Sequence, residues 1–313
     1  MHIKLEFLFL GFQQVSQRVG DILSDAGHTV IFINMEMFKF NENVKLTSRP
    51  GSQVWNADVK SDEIDYEKLW NDYSDSAFSD ESIYEMILKP EPFMQNMTFV
   101  LKQACARIVS SKEFMKQLKD AKFDVIFAHM VDFCPIGIQY AIKAPAWIWI
   151  SASPLLDHMA SLMGLSLPAS YAAHDATEIF RHFIDPKFPD LFDIAKTAPL
   201  IFVNSNELYD LPRPTLHKII NIGGIQKPSA EATELKPLSA IYKAKIKNAK
   251  NVVIFTFGSI TNASRMPKTW KNAFMNAFEK FNDTQFFIRY DGNDMKTPKN
   301  VYLNKWLPQV QLL

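Results

Sequence analysis

The sequence predicts an α/β protein built as two doubly wound parallel-sheet units, the second of them short. Three observations lead there. Apolar runs of strand length recur along the chain and alternate with segments of helical period. Those runs carry almost no polar residues, the habit of strands buried on both faces of a parallel sheet. The strand–loop–helix–strand order begins twice, at the N-terminus and again near Asn251, with an aperiodic stretch before the second start.

Residues 3–10 read as a first strand. Gln14 to Ala26 follows as a helix with Val15, Val19, Ile22 and Leu23 on one stripe, closed by Gly27. Thr29-Val30-Ile31-Phe32-Ile33 is the second strand, which completes a β-α-β unit. Residues 40–90 are polar and acidic, with Asp58, Asp62, Glu63, Asp65, Asp72, Asp75 and Asp80, and read as an insertion with little core of its own. Helical period returns from Met94 to Leu118. Phe123 to Ala128, Ala146 to Ile150, Leu200 to Asn204 and Ile219 to Ile222 are further strands, with a helix over Pro135 to Ile142. The apolar segments Leu155–Leu165 and Phe180–Phe192 suit either a ligand pocket or core. The first domain is thus residues 1–225. Residues 226–250, with two prolines between Gln226 and Leu238, read as a linker. Residues 251–313 begin a second unit: strand Val252–Phe257, Gly258-Ser259, helix Lys268–Phe281, strand Gln285–Ile288.

The composition narrows the function. The 313 residues are 47% hydrophobic, enough for a sizeable core. Lys+Arg and Asp+Glu are equal at 34 each, which leaves no basic footprint for nucleic acid. Cys105 and Cys134 make neither a disulfide framework nor a metal site and read as buried thiols. No run of about 18 apolar residues is present to span a membrane. Leu5 to Leu10 fits a buried strand or the core of a signal peptide interrupted by Glu6. Sequons occur at Asn96, Asn262 and Asn282 and matter only in a lumenal chain. No Gly-x-Gly-x-x-Gly occurs, so a dinucleotide fingerprint has no support.

In doubly wound sheets ligands sit outside the carboxyl ends of the strands. The segments at those ends are Gly11–Ser16, His129–Pro135, Ser151–Asp157, Asn204–Glu207 and Phe257–Asn262. Several motifs lie in or near them: Asp21-Ile22-Leu23-Ser24-Asp25-Ala26-Gly27-His28, Phe123-Asp124-Val125-Ile126-Phe127, Asp132-Phe133-Cys134-Pro135 and Ser153-Pro154-Leu155-Leu156-Asp157-His158. Further along come Pro168-Ala169-Ser170-Tyr171, Val203-Asn204-Ser205, Gly223-Gly224-Ile225, Phe255-Thr256-Phe257-Gly258-Ser259, Tyr290-Asp291-Gly292 and Trp306-Leu307-Pro308-Gln309. In this order the set resembles the UDP-glucuronosyltransferases, and more narrowly their nematode-type relatives. The resemblance implies a GT-B fold of two Rossmann-like domains, the C-terminal one truncated. It implies UDP-sugar donors, small lipophilic acceptors, the endoplasmic reticulum lumen or membrane, and no cofactor beyond the co-substrate. It also allows homo- or hetero-oligomers with related transferases.

That family's reaction is an inverting displacement. An acceptor hydroxyl attacks the anomeric carbon, UDP leaves, and a general base takes the hydroxyl proton. Histidine suits this because its pKa lies near working pH, and a carboxylate behind it fixes the tautomer and stabilises the imidazolium. By resemblance the base belongs in the loop after the first strand, where this chain has Phe12, which cannot accept a proton. The family's partner carboxylate matches His129, with Asp132 three residues on. Two readings follow: a displaced dyad with His129 as base and Asp132 as its orienter, or a strand-end histidine beside an aspartate that caps the next helix. On the donor side, Gly258 and Ser259 match the diphosphate loop, and Trp306 and Gln309 the uracil site. The loop that the family uses for the sugar hydroxyls would follow Gln309 and does not occur in the sequence. The first expectation is therefore a glycosyltransferase that is weak or inactive alone. The alternative is a non-catalytic binder of apolar molecules or a modulator of intact relatives.

Overall fold

The computed structural model describes residues 6–10, 13–35, 52–79, 92–129, 132–155, 157–165, 176–210, 215–225, 237–247, 249–258 and 261–312. They fall into two compact units. The first takes in Met1–Met37, Leu46–Ile64 and Met97–Lys227, and the second Phe38–Lys45, Asp65–Asn96 and Pro228–Leu313.

The first unit holds a seven-stranded sheet. In chain order its strands are β1 (Glu6–Leu10), β2 (Thr29–Met35), β3 (Ser52–Ala57), β4 (Val125–His129), β5 (Ala146–Ser151), β6 (Leu200–Val203) and β7 (Ile219–Asn221). The spatial order is β3-β2-β1-β4-β5-β6-β7, and every neighbouring pair is parallel. The apolar runs divide by alternation, because successive strand side chains point to opposite faces. Val30, Phe32, Phe127 and Ile150 meet Val15 and Val19 of helix α1 (Gln13–Asp25) on one face. Ile31, Ile33, Ile126, Ala128, Trp147 and Trp149 join the larger core on the other.

The opposite face is covered by helices, and side-chain caps at Ser111 and Asp190 open two of them. The helix expected over Met94–Leu118 is two helices after α2 (Tyr66–Ser76): α3 (Pro92–Ser110) and α4 (Lys112–Asp120). The break falls at Ser111, whose hydroxyl accepts the N–H of Phe114 at 3.3 Å. Next come α5 (Cys134–Ile142), α6 (Asp157–Leu162), α7 (Thr177–Phe183) and α8 (Leu191–Lys196). The apolar segments flagged as pocket or core are core. Leu155, Met159, Met163, Phe180, Phe188 and Leu191 are buried, and the rings of Phe180 and Phe188 stack at 4.9 Å. Phe180 lies so close to Gly137 of α5 that a Cβ there would stand 2.2 Å from its ring, so glycine is what admits the contact.

Cys105 of α3 and Cys134 of α5 are bonded as a disulfide, with Cα atoms 5.7 Å apart, and so are not the free thiols expected. They are 29 residues apart in sequence, and only the packing of α3 and α5 on one sheet face brings them together.

The second unit holds strands β8 (Asn251–Phe255), β9 (Thr284–Arg289) and β10 (Val301–Asn304), parallel in the order β10-β9-β8. After α9 (Ala240–Ile246), helix α10 (Lys268–Glu279) covers one face, where Phe278 stacks on Phe286 at 4.3 Å. On the other face α9 buries Tyr242 against Phe287 and Leu307. Part of the expected linker is therefore helix and core; residues 226–236 lie outside the described residues. The polar insertion also divides. Its strand β3 belongs to the first unit, while α2, opened by Asp65 accepting the N–H of Lys68 at 2.9 Å, belongs to the second. The last described residues form a short turn of helix, α11 (Gln309–Leu312).

Candidate functional site

The first unit's strand order reverses direction between β1 and β4, and the carboxyl edge at such a switch point is where doubly wound sheets bind ligands. His129 is the last residue of β4 at that edge. Gly11 and Phe12, which follow β1 in the sequence, lie outside the described residues. The His129 side chain is 7% exposed and that of Asp132 11%, with Nε2 3.4 Å from Oδ2. Oδ1 of Asp132 accepts the backbone N–H of Cys134 at 2.7 Å and so orders the start of α5. The His129 carbonyl accepts Nε1–H of Trp149 at 3.1 Å, which ties the strand end to β5. Both sequence readings of Asp132 thus meet in one carboxylate, with one oxygen on the helix start and the other facing the imidazole.

Burial lowers the His129 pKa and the Asp132 charge raises it; burial wins, and the pKa lies below the usual imidazole value. The ring is therefore neutral near pH 7, the protonation state of a base. The surface beside it is apolar, lined by Met35, Leu101, Ala104, Ile108, Pro135 and Ile138.

In the second unit three carboxyl-edge loops converge on Arg289, the last residue of β9. Its guanidinium donates to the carbonyls of Gly258 and Thr261 in the loop after β8. It pairs with Asp291 at 3.2 Å and lies over the Trp306 ring, 6.0 Å from the centroid. Its Nε is buried with no acceptor among the described residues. Gly258 has φ +80°, a left-handed conformation that disfavours a side chain although open space surrounds it. Ser259 lies outside the described residues. The helix expected from Lys268 begins there as α10, after a 3₁₀ turn, Ala263–Arg265.

Trp306 is half-buried and braced from behind. Its backbone N–H donates to Asn304 Oδ1 at 3.4 Å, Asn304 Nδ2 donates to the Tyr242 hydroxyl at 2.9 Å, and that hydroxyl donates to the Trp306 carbonyl at 3.5 Å. Gln309, one turn on, is exposed. Of the four donor-side residues singled out in the sequence, Gly258 and Trp306 are brought together by Arg289. Sequence reasoning missed Arg289 and Tyr242. A charge that directly ends the buried run Gln285–Ile288 was the available signal for the first; for the second there was none, since Tyr242 sits in a stretch without strand or helix period.

The profile of the UDP-glucoronosyl and UDP-glucosyl transferase family matches residues 14–188 and 188–313. The chain belongs to that family. Among similar proteins of Caenorhabditis elegans, ugt-48, which carries the name of a UDP-glucuronosyltransferase, is 26% identical over 95% of this chain and 62% of its own length. A second, ugt-47, is 25% identical over 95% of this chain and 61% of its own. The chain thus spans about three fifths of the length of these relatives. Among solved structures, the calicheamicin glycosyltransferase CalG4 superposes with a TM-score of 0.55 at 15% identity, covering 99% of this chain and 72% of that one. Arabidopsis thaliana UGT89C1, complexed with UDP-L-rhamnose, gives 0.53 at 14%, covering 98% and 71%. These neighbours share the GT-B fold, and at such identities the likeness concerns the fold alone.

Proposed function

We propose that this chain carries the acceptor-side domain and the opening of the donor-side domain of an inverting UDP-sugar-dependent glycosyltransferase for small lipophilic hydroxyl acceptors. The observation that carries the reading is the convergence of Gly258, Arg289 and Trp306 at one carboxyl edge. Trp306 offers a flat face for uracil, Gln309 an amide for the base edge, and Gly258, with Ser259 next in sequence, a backbone turn for the diphosphate. Arg289 adds positive charge beside them. In the reaction the acceptor oxygen bonds to the anomeric carbon, the bond to the diphosphate oxygen breaks, and the acceptor proton passes to a base. His129 takes that part here, with Asp132 stabilising the imidazolium. Phe12, where the family has its histidine, supports weak turnover.

The reading extends to an oxidising, lumenal compartment. The Cys105–Cys134 disulfide favours one, as such bonds persist there and are rare in reducing cytosol. Asn282, the acceptor residue of its sequon, is exposed in the turn before β9, while Thr284 of that sequon is buried as the first residue of the strand.

The test is titration calorimetry of the purified chain with UDP and with a lipophilic phenol, followed by product assay with UDP-glucuronic acid and UDP-glucose. UDP binding weakened by W306A, with slow product formation lost in H129A, is the expected result. Phenol binding without UDP binding would transfer the case to a carrier of apolar molecules. Unchanged turnover in H129A would remove His129 as the base.

A further inference from the structure

The loop from Phe257 to Arg265 is held from two sides. Arg289 takes the carbonyls of Gly258 and Thr261 on the sheet side. Helix α2, nearly two hundred residues earlier in the chain, holds it on the other. The N–H of Asn262 donates to the hydroxyl of Ser74 at 3.2 Å, and Ser74 is fully buried. One edge of the Arg265 guanidinium, Nε and Nη2, donates to both carboxylate oxygens of Asp75. Phe78, buried at 4% exposure, sets its ring edge-on to Phe257 at 5.1 Å and to Trp270 at 6.3 Å. A hydrogen bond, a two-pronged ion pair and a ring contact therefore all leave one stretch, Ser74–Phe78, and all end on this loop or at the start of α10 behind it.

We propose that Ser74, Asp75 and Phe78 are positioning residues for UDP-sugar binding: through Phe257, Asn262 and Arg265 they hold the turn at Gly258 in its ligand-ready shape. This inference rests on reading that turn as the diphosphate site. The physical reason is preorganisation. A loop ordered before the ligand arrives does not lose its conformational freedom on binding, so the same contacts yield higher affinity. The acidic segment that reads in the sequence as an insertion with little core of its own then supports the donor site.

The experiment is UDP titration calorimetry on the full chain, wild type against S74A, D75R, R265D, the D75R/R265D swap and W306A, each with a thermal unfolding curve. Asp75 and Arg265 are partly exposed, so their substitution leaves the core intact. D75R and R265D are each expected to weaken UDP binding by about three- to ten-fold, in the range of a paired guanidinium–carboxylate contact. The swap should recover most of the affinity, a recovery that general loss of stability would not produce. S74A, which leaves the Asn262 N–H without its acceptor, should weaken binding with Trp306 intact. If W306A weakens UDP binding while S74A and both charge reversals leave it unchanged, the inference falls and the donor-site reading stands. Single variants that weaken binding without recovery in the swap also overturn it. A wild-type chain that does not bind UDP removes both.

Discussion

Asp132 turns one carboxylate oxygen to Nε2 of His129, 3.4 Å away, and the other to the backbone N–H of Cys134. The imidazole is therefore oriented by a group that is itself fixed to the first turn of α5. Burial holds His129 neutral, so its pKa in the folded chain is below the unfolded value. Stability from this group is complete above the ordinary imidazole pKa of about 6.5. It declines as pH falls below that value, because the unfolded chain takes up the proton first, until the folded pKa is passed. Urea unfolding between about pH 8 and about pH 5 should show this loss in the wild type and a flatter profile in H129Q. Equal slopes would mean that His129 titrates alike in both states.

The disulfide from Cys105 to Cys134 closes a loop across the helices behind this pair. Chain-entropy arguments for a loop of that length give a stabilisation of about 3–4 kcal/mol. C105S/C134S, or the wild type under reductant, should unfold at correspondingly lower urea. Coincident curves with and without reductant would show that the bond does not form.

Tyr242 connects α9 to the turn that carries Trp306, through Asn304. Tyr242→Phe keeps the ring packing against Phe287 and removes only the hydroxyl. The expected cost is about 1 kcal/mol of stability, with a several-fold weaker UDP affinity. Lower stability with unchanged UDP binding would leave the tyrosine as a core residue and no brace for Trp306.

Lys271 of α10 joins two edge loops by donating to the Ser264 carbonyl at 2.6 Å and to Asp294 at 2.8 Å, while Tyr290 donates its hydroxyl to the same carboxylate. Burial works against the Lys271 charge, but the hydrogen bonds to Asp294 and Tyr290 outweigh it and raise its pKa. The hydrogen bonds from Lys271 and Tyr290 lower Asp294 to about 2. Its contribution is then full above the ordinary carboxylate value of about 3.9 and lost as pH falls through about 2. D294N and K271M should each flatten the acid limb of an unfolding curve. Because Asp294 is more than half exposed, solvent screening makes the effect small. An unchanged acid limb in both variants would remove the pair from the stability of this edge.

Much of this protein was legible in its residues. Uninterrupted apolar runs such as Val30–Ile33 and Ile126–Ala128 announce strands covered on both faces, since such a run leaves no face for water. The helical stripe of Val15 and Val19 shows what covers one of them. Trp306-Leu307-Pro308-Gln309 and the motifs before it suffice for the family. These features are local, and a side-chain period or a short motif needs no knowledge of distant neighbours. What tertiary structure decided is each pairing between distant segments. Cys105 and Cys134 become partners only when two helices share a sheet face. Arg289 meets Gly258, Asp291 and Trp306 only when three strand ends line up. The acidic segment that looked like a solvated insertion places Ser74, Asp75 and Phe78 on a loop nearly two hundred residues away. Charge and polarity in a sequence report that a segment can face water, not which surface it meets, and that meeting is a property of the folded chain.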